Sequence, residues 1–321
     1  MIIRNVVGPY PSRRINDYIL IVDVVGPPKK CPYNCIYCPL GNTKVKTSKV
    51  HSLIPPKKII EDYKYIIEKV GLDIKAILFN GLGDPFLNYF LKNIIEDLKK
   101  INNELGIDLE YWIKTTLVPL TYHGGSRLLK LFNKIYVIFD AGSREDYTLI
   151  NDPLDYIRLN DIIRYLSKID IDIVSETTLV NIDNEGNWKR DSLELLASWL
   201  RKAGIKNIVL KTLSRPPRSK DAKPVSKKIL YSVKDYLDEH GFKVNVLLSD
   251  VRISYRRVVL FNESDLYSLL LRKPLDLLEL RRALGLPIRD IAYLLSRLES
   301  NGLIERIPWK TRIFYRSVYR R

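Results

Sequence analysis

The feature that most restricts what this chain can fold into is a rhythm. Between residues 18 and 248, short runs rich in Ile, Val, Leu and Tyr alternate with longer stretches of helical apolar spacing. The runs fall at 18–25, 74–80, 109–116, 134–140, 170–178, 207–212 and 243–248. The helical stretches fall at 57–70, 87–105, 126–133, 159–168, 192–203 and 226–240. Continuous apolar runs of this kind suit strands buried on both faces, and parallel neighbours need a crossover helix between them. Pro55 and Pro56 open the first helical stretch, and Gly71, Gly106, Gly204 and Gly241 follow helix ends, the usual placement of these two residue types. The expected fold class is therefore α/β, a full or partial TIM-type (βα) barrel. A doubly wound open sheet has the same periodicity and stays open as an alternative.

The rhythm stops around 251–262. Helical stretches then end at Pro274 and Gly285, and Pro287 opens a third, at 288–300, that closes at Asn301-Gly302. Two short strands, at 303–307 and 311–317, can form a wing around Trp309-Lys310. This order resembles a small winged helix-turn-helix. The expected organisation is a barrel domain over 1–251, a linker over 252–262 and a winged-helix domain over 263–321.

With 321 residues, 46% of them hydrophobic, the chain has enough apolar material for one large domain and a small one. No apolar run approaches the roughly 20 residues of a membrane span, and residues 1–14 show no signal-peptide pattern. A cytoplasmic protein with no membrane partner is expected. The net charge of +16 invites an anionic partner such as nucleic acid. A heat-adapted surface is the competing explanation, and the absence of Gln and the single Met suit it. Residues 252–321 hold 15 Lys/Arg against 7 Asp/Glu, a net +8, half of the total.

All three cysteines fall within eight residues, Cys31-Pro-Tyr-Asn-Cys35-Ile-Tyr-Cys38, directly after the first apolar run. An odd number so tightly bunched makes a metal site in a reducing compartment rather than a disulfide framework. Three thiolates can each hold one iron of a 4Fe–4S cubane and leave the fourth iron without a protein ligand, whereas electron-transfer clusters use four Cys. An open position is what a metal site needs to bind a substrate. The alternative is zinc, with His51 as the fourth ligand, although zinc ligands usually come as two pairs and His51 has no partner nearby.

Cys-x3-Cys-x-Tyr-Cys just after the first strand of a βα barrel resembles the radical S-adenosylmethionine (SAM) superfamily. Within it, Gly8-Pro9-Tyr10-Pro11-Ser12-Arg13-Arg14, Lys30-Cys31, Tyr37-Cys38 and Arg215-Pro216-Pro217 are similar to archaeal and bacterial Fe–S oxidoreductases related to the tRNA wyosine synthases. The resemblance implies that SAM chelates the open iron through its amino and carboxylate groups. A low-potential electron, from a reductant such as ferredoxin or flavodoxin, then cleaves the S–C5′ bond. The products are methionine and a 5′-deoxyadenosyl radical that takes hydrogen from a substrate. Wyosine synthases use further Cys for a second cluster. Here the first cluster consumes all three, which points away from that reaction and from activases and maturases with auxiliary clusters.

Asn80-Gly81-Leu82-Gly83-Asp84-Pro85 ends the second strand, at the barrel face where active sites form. Gly81 and Gly83 allow close backbone approach to a ligand. The family's Gly-x-Gly-Glu at this place binds the SAM amino group, and here Asp84, with a shorter reach, replaces the Glu. A simple turn is the other reading. Asp140-Ala141-Gly142 matches the family motif residue for residue and offers a carboxylate to ribose hydroxyls, the alternative being an N-cap for a helix beginning near Arg144. Tyr37 is expected against adenine or in ordinary loop packing. Glu176 and Thr178 share one face of the fifth strand, and Lys211 and Arg215 end the sixth. They suit SAM-carboxylate or substrate contacts, Thr178 being counted with the cofactor site, and equally an interior salt bridge. Lys114-Thr115-Thr116-Leu117 stands where relatives read Thr-Asn-Gly and is given no role.

In the tail, Ile288, Ile291, Ala292, Leu295 and Leu298 form an apolar helical stripe. The opposite face carries Arg289, Tyr293, Ser296, Arg297 and Ser300, and the wing adds Arg306, Lys310, Arg312 and Arg316. Arg289, Tyr293, Arg297, Lys310 and Arg312 are the expected nucleic-acid contacts, protein docking being the alternative use of such a module. The combined reading is a radical SAM enzyme acting on RNA, in particular tRNA. The alternatives are a radical SAM enzyme acting on a small molecule or protein side chain, and a zinc-stabilised winged-helix regulator that binds nucleic acid.

Overall fold

A computed structural model describes residues 1–70, 74–248 and 261–319. Gly71 and positions 252–260 of the expected linker lie outside the described residues. In chain order the strands are β1 (Val6–Ser12), β2 (Asp17–Val22), β3 (Lys30–Cys31), β4 (Val45–Lys46), β5 (Ala76–Phe79), β6 (Glu110–Thr115) and β7 (Lys134–Ile138). They continue with β8 (Val174–Asn181), β9 (Asn207–Thr212), β10 (Lys223–Pro224), β11 (Lys243–Leu247), β12 (Leu275–Asp276), β13 (Ile304–Trp309) and β14 (Arg312–Ser317). The α-helices are α1 (Pro56–Val70), α2 (Leu91–Glu104), α3 (Val118–His123), α4 (Arg144–Asp146) and α5 (Leu159–Leu166), then α6 (Arg190–Lys202), α7 (Lys227–Glu239), α8 (Glu263–Arg272), α9 (Leu277–Leu284) and α10 (Ile288–Ser300). The described residues form two compact units, one of 1–29, 51–111 and 261–319, the other of 30–50 and 112–248.

In the second unit five strands run parallel in the order β6-β7-β8-β9-β11, and β10 adds antiparallel to β8. Spatial order follows chain order. A doubly wound sheet would reverse at a switch point, and this unit does not. Helix α6 shows why the pattern winds this way. Its buried Leu193, Leu196, Ala197 and Leu200 recur at the spacing of one helical face, which must lie against a neighbour to leave water.

The first unit begins with a hairpin the sequence does not announce. β1 pairs antiparallel with β2, with an irregular register between Val7 and Tyr10, and β2 pairs parallel with β5. Gly8, Pro9 and Pro11 mask β1 as a strand, because proline cannot donate to a ladder. It is tolerated at an edge or a bulge, and β1 has both. Helix α1 buries Ile59, Tyr63 and Ile66 at helical spacing and packs against β1 and α2.

Residues 261–319 belong to this first unit. Asn262 with Asp265 and Asp276 with Glu279 form capping boxes that start α8 and α9, and Gly285 ends α9 in the left-handed region. β12, β14 and β13 form a small antiparallel sheet in that order. α10 buries Ile291, Leu295 and Leu298, while Ile288 and Ala292 of the expected stripe are exposed. Ile288 is the first residue of the helix and Ala292 lies on its flank, so the buried seam is narrower than the apolar spacing suggested. The segment is stapled to the start of the chain: Tyr10 Oη donates to the Leu269 carbonyl at 2.5 Å and Tyr18 Oη to the Arg282 carbonyl at 2.9 Å. Asp265 accepts from Arg4, Tyr65 and Lys69.

The remaining differences from the sequence expectations are local. The stretch at 126–133 is a 3₁₀ helix, Ser126–Leu131, and α3 precedes it without a clear signal. The strand expected at 170–178 starts later and runs to Asn181.

Candidate functional site

In the second unit, the cysteine loop is held by its main chain. Cys31 ends β3, whose parallel partner is β4, and the Thr47 amide donates to the Cys31 carbonyl. The Cys38 amide donates to the Cys35 carbonyl at 3.1 Å, turning the chain between them. Cys35 is buried, Cys31 and Cys38 are half-buried, and none of the three is in a disulfide.

A turn of π-helix, Tyr147–Asn151, followed by Asp152 in the left-handed region, receives this loop. The Ile36 amide donates to the Ile150 carbonyl and the Asn34 amide to the Asn151 carbonyl, at 3.0 and 3.1 Å. Asn34 Nδ2 and Lys46 Nζ both reach the Asp152 carboxylate, at 2.8 and 2.6 Å, and these bonds hold its carboxyl below the usual range against the opposing effect of burial. On the other side, Arg218 Nε donates to the Cys35 carbonyl at 3.3 Å and the Ser219 amide to the Ile36 carbonyl at 2.9 Å.

Asp140, just past the end of β7, is the polar centre beneath the loop. Its carboxylate accepts from the Tyr37 hydroxyl at 2.5 Å, the Asn151 amide at 2.7 Å and the Thr178 backbone amide at 2.6 Å. Burial raises its pKa, opposed by those three donors and by the positive charge of Lys211. Burial likewise holds the hydroxyls of Tyr33, Tyr37 and Tyr147 protonated. A carboxylate has about four acceptor positions, so one remains for a further hydroxyl. Asp140 does not cap the helix at Arg144. Ser143 does, accepting from the Asp146 amide.

Glu176 is buried and accepts ion pairs from Lys114, at 2.7 Å, and from Lys211. The interior salt bridge is thus present, with Lys114 as a member the sequence left without a role. Thr178 meets Asp140 through its backbone amide rather than its hydroxyl.

In the first unit, Asp84 is buried and caps the short 3₁₀ helix Pro85–Leu87 by accepting from the Phe86 amide at 3.0 Å. Gly81 and Gly83 both have positive φ and bridge each other. A Cβ on Gly81 would lie 2.4 Å from the Asp23 carboxyl carbon, so glycine is required there by contact as well as by conformation. Asp23 accepts from the Val25 and Gly26 amides and from Arg272 Nε at 3.0 Å, both side chains being 0–1% exposed.

Of the expected nucleic-acid contacts, Tyr293 is exposed and Arg297 lies over its ring at 5.8 Å. Arg297 also pairs with Glu263 at 2.6 Å, Arg289 with Asp290 at 3.2 Å, and Arg312 with Asp276 at 3.1 Å. Lys310 lies over Trp309, its pKa lowered by burial. Arg312 therefore pins β14 to the N-cap of α9, and its charge already has a structural use.

The sequence did not single out Tyr147, Asn151, Asp152 and Arg218, nor the pair Asp23 and Arg272. None sits in a motif, and the one available signal was Asn151-Asp152-Pro153, a turn tripeptide following an unpatterned helical stretch.

Among the described residues no group of three or more His, Cys, Asp or Glu side chains gathers as ligands of one metal ion; a cubane instead spreads three thiolates over three irons. The donor set fits such a cluster: three soft thiols on one loop, fixed by main-chain bonds, with the Asn151 amide directed at the Cys35 sulfur from 3.6 Å.

No protein-family profile matches the chain. A protein named GTPase Obg from Brachyspira hyodysenteriae is 26% identical over 280 residues, covering 84% of this chain and 39% of that protein. A UPF0026 protein from Helicobacter pylori is 26% identical over 226 residues, 68% of this chain and 69% of that one. The chain thus spans about two-fifths of the first relative and about two-thirds of the second. No glycine here is followed by lysine, so the phosphate-binding loop of GTPases is missing from this chain. Among solved structures, a radical SAM methyltransferase from Sphaerobacter thermophilus superposes with a TM-score of 0.53 at 19% identity, over 72% of this chain and 66% of that one. The structure described as native anSMEcpe with bound AdoMet gives 0.50 at 11% identity, over 71% and 64%. The chain shares the fold of these proteins. Among the described residues no helix is long and apolar enough to cross a membrane.

Proposed function

We propose that this protein is a radical SAM enzyme, with Cys31, Cys35 and Cys38 holding a 4Fe–4S cluster at which SAM binds. The observation that carries the reading is the three-cysteine loop clamped onto the turn at 147–152, directly above a buried carboxylate. When bound, the cluster and SAM supply reductive cleavage to a 5′-deoxyadenosyl radical, chemistry that belongs to the cofactors. The chain's own residues bind, orient and exclude water. Asp140 has an acceptor position for a ribose hydroxyl, and its bonds from the Tyr37 hydroxyl to one oxygen and from the Thr178 amide to the other fix the plane of its carboxylate. Tyr37, a loop residue whose hydroxyl donates to Asp140, is assigned to the adenine ring. Gly81 and Gly83 let the main chain approach a ligand. Asp84, whose Oδ1 holds its own turn, is assigned to the SAM amino group.

The substrate is RNA, in particular tRNA, and residues 263–321 act as a winged-helix domain that grips it. The net +8 of residues 252–321 and the exposed Arg289, Tyr293 and Arg297 support this part. The reductant is ferredoxin or flavodoxin and the compartment the cytoplasm.

Anaerobic reconstitution tests the central claim. About four iron and four sulfide per chain are expected, as a cubane requires, and Cys38→Ala should lose most of both. Protein that holds stoichiometric zinc and refuses iron would overturn the reading, and so would Cys38→Ala with a complete cluster.

A further inference from the structure

Asn151 has a place in the site that binding and orienting SAM does not explain. It is 1% exposed and ends the π-helical turn that receives the cysteine loop. Its single amide nitrogen reaches two acceptors, Cys35 Sγ at 3.6 Å and Asp140 Oδ2 at 2.7 Å. A carboxamide carries two N–H bonds that diverge in one plane, so it can serve sulfur and carboxylate together. The position of that amide is not left to the side chain. The backbone carbonyl of Asn151 accepts the Asn34 amide, and the carbonyl of Ile150 accepts the Ile36 amide, one residue to either side of Cys35. Loop and turn are thus laced together at the residues flanking the sulfur, and the N–H aimed at it is held by the same lacing. Nothing in the thiol chemistry of an i, i+4, i+7 loop requires such a donor.

We infer that Asn151 is a positioning residue that raises the reduction potential of the cluster by donating to the Cys35 sulfur, an inference that rests on the cluster reading above. Reduction adds one negative charge, and part of it resides on the ligating thiolates. A donor directed at a thiolate stabilises the reduced form more than the oxidised one, and hydrogen bonds to the sulfurs are among the levers that set such potentials. Burial strengthens the effect, because the surrounding medium screens it weakly. The second N–H, on Asp140, holds the amide plane so that the first keeps its aim at sulfur.

The test uses the full chain, reconstituted anaerobically, with Asn151→Leu, which has the same branched shape and no donor, and Asn151→Asp, which removes the amide N–H and shares a proton with Asp140. Iron and sulfide are counted first, and the midpoint of the reduced cluster is then followed by electron paramagnetic resonance without SAM. Wild type and variants are expected to hold equal iron and sulfide. Both midpoints should move to more negative potential, since neither variant keeps an amide N–H on the Cys35 sulfur. Unchanged midpoints with full clusters overturn the inference and leave the cluster reading standing. Loss of the cluster in both variants also overturns it, because Asn151 would then serve retention rather than potential. If only one variant loads, its midpoint decides. Wild-type protein that forms no cluster removes the parent reading, and this inference with it.

Discussion

Arg272 and Asp23 show how much can hang on two side chains. The pair is fully buried, Arg272 Nε meets Asp23 Oδ2 at 3.0 Å, and the other Asp23 oxygen holds the Val25 and Gly26 amides. Nη1 reaches the Ser268 carbonyl, and Nη2 is buried without a hydrogen-bond partner. Removing one member of a buried pair strands the other charge, which costs about 3–5 kcal/mol, whereas replacing both with apolar groups costs much less. Arg272→Ala should therefore lower the unfolding free energy by roughly that amount in denaturant titration, and Asp23→Leu with Arg272→Met should recover most of it. Equal losses in the single and double variants would mean the pair contributes packing rather than charge compensation. At this scale legibility was uneven. Cys31, Cys35 and Cys38 could be read because their chemistry lies in local spacing. Asp23, Asn151 and Arg272 could not, because each acts on a residue 116 or more positions away.

At the scale of elements, the β7 end meets α6 backbone to backbone, with no room for a side chain between them. A Cβ on Gly142 would lie 2.2 Å from the Leu196 amide nitrogen and 2.6 Å from the Leu195 carbonyl carbon, both main-chain atoms that cannot turn aside. Trp199 Nε1 also donates to the Gly142 carbonyl at 2.7 Å. Gly142→Ala must push α6 away, and overpacking of this kind costs about 1–3 kcal/mol. The expected outcome is a lower denaturation midpoint at unchanged m-value, with Asp140 displaced along with its neighbour. An unaltered midpoint would show that α6 can shift freely. The Asp-Ala-Gly motif was legible as a motif, but the reason for its glycine was not, since periodicity says which face of α6 is apolar and nothing about how near it comes. The same blindness hid β1, whose prolines mask the strand that β2 and α9 pack against.

For the whole molecule, the charge of the tail and its attachment pull in different directions. Residues 263–319 are fastened to the start of the chain through Tyr10, Tyr18, Arg4 and Asp23, so nucleic-acid binding is properly measured on the full chain. If Arg289, Arg297 and their neighbours neutralise phosphates, log affinity for unfractionated tRNA falls linearly with log salt, by close to one unit of slope per contact. Replacing Arg289 and Arg297 together should flatten that slope by up to about two units while leaving iron content unchanged. The ion pairs with Asp290 and Glu263 must open first, so the loss should fall short of two where they compete. No binding at low salt, or a slope indifferent to both arginines, would favour a protein partner for this face.

The sequence by itself determined the α/β class, the alternation of strands with helices, the apolar faces of the long helices and the three cysteines. All of these are written in spacings of a few residues, and local backbone geometry converts such spacings directly into faces and loops. Only the tertiary structure decided that Asn151 points an N–H at Cys35, that Asp140 is shared among Tyr37, Asn151 and Thr178, and that Arg272 reaches back to Asp23. Each joins at least two segments distant along the chain, and the free energy of a buried hydrogen bond or ion pair depends on distance and desolvation, which no local pattern encodes.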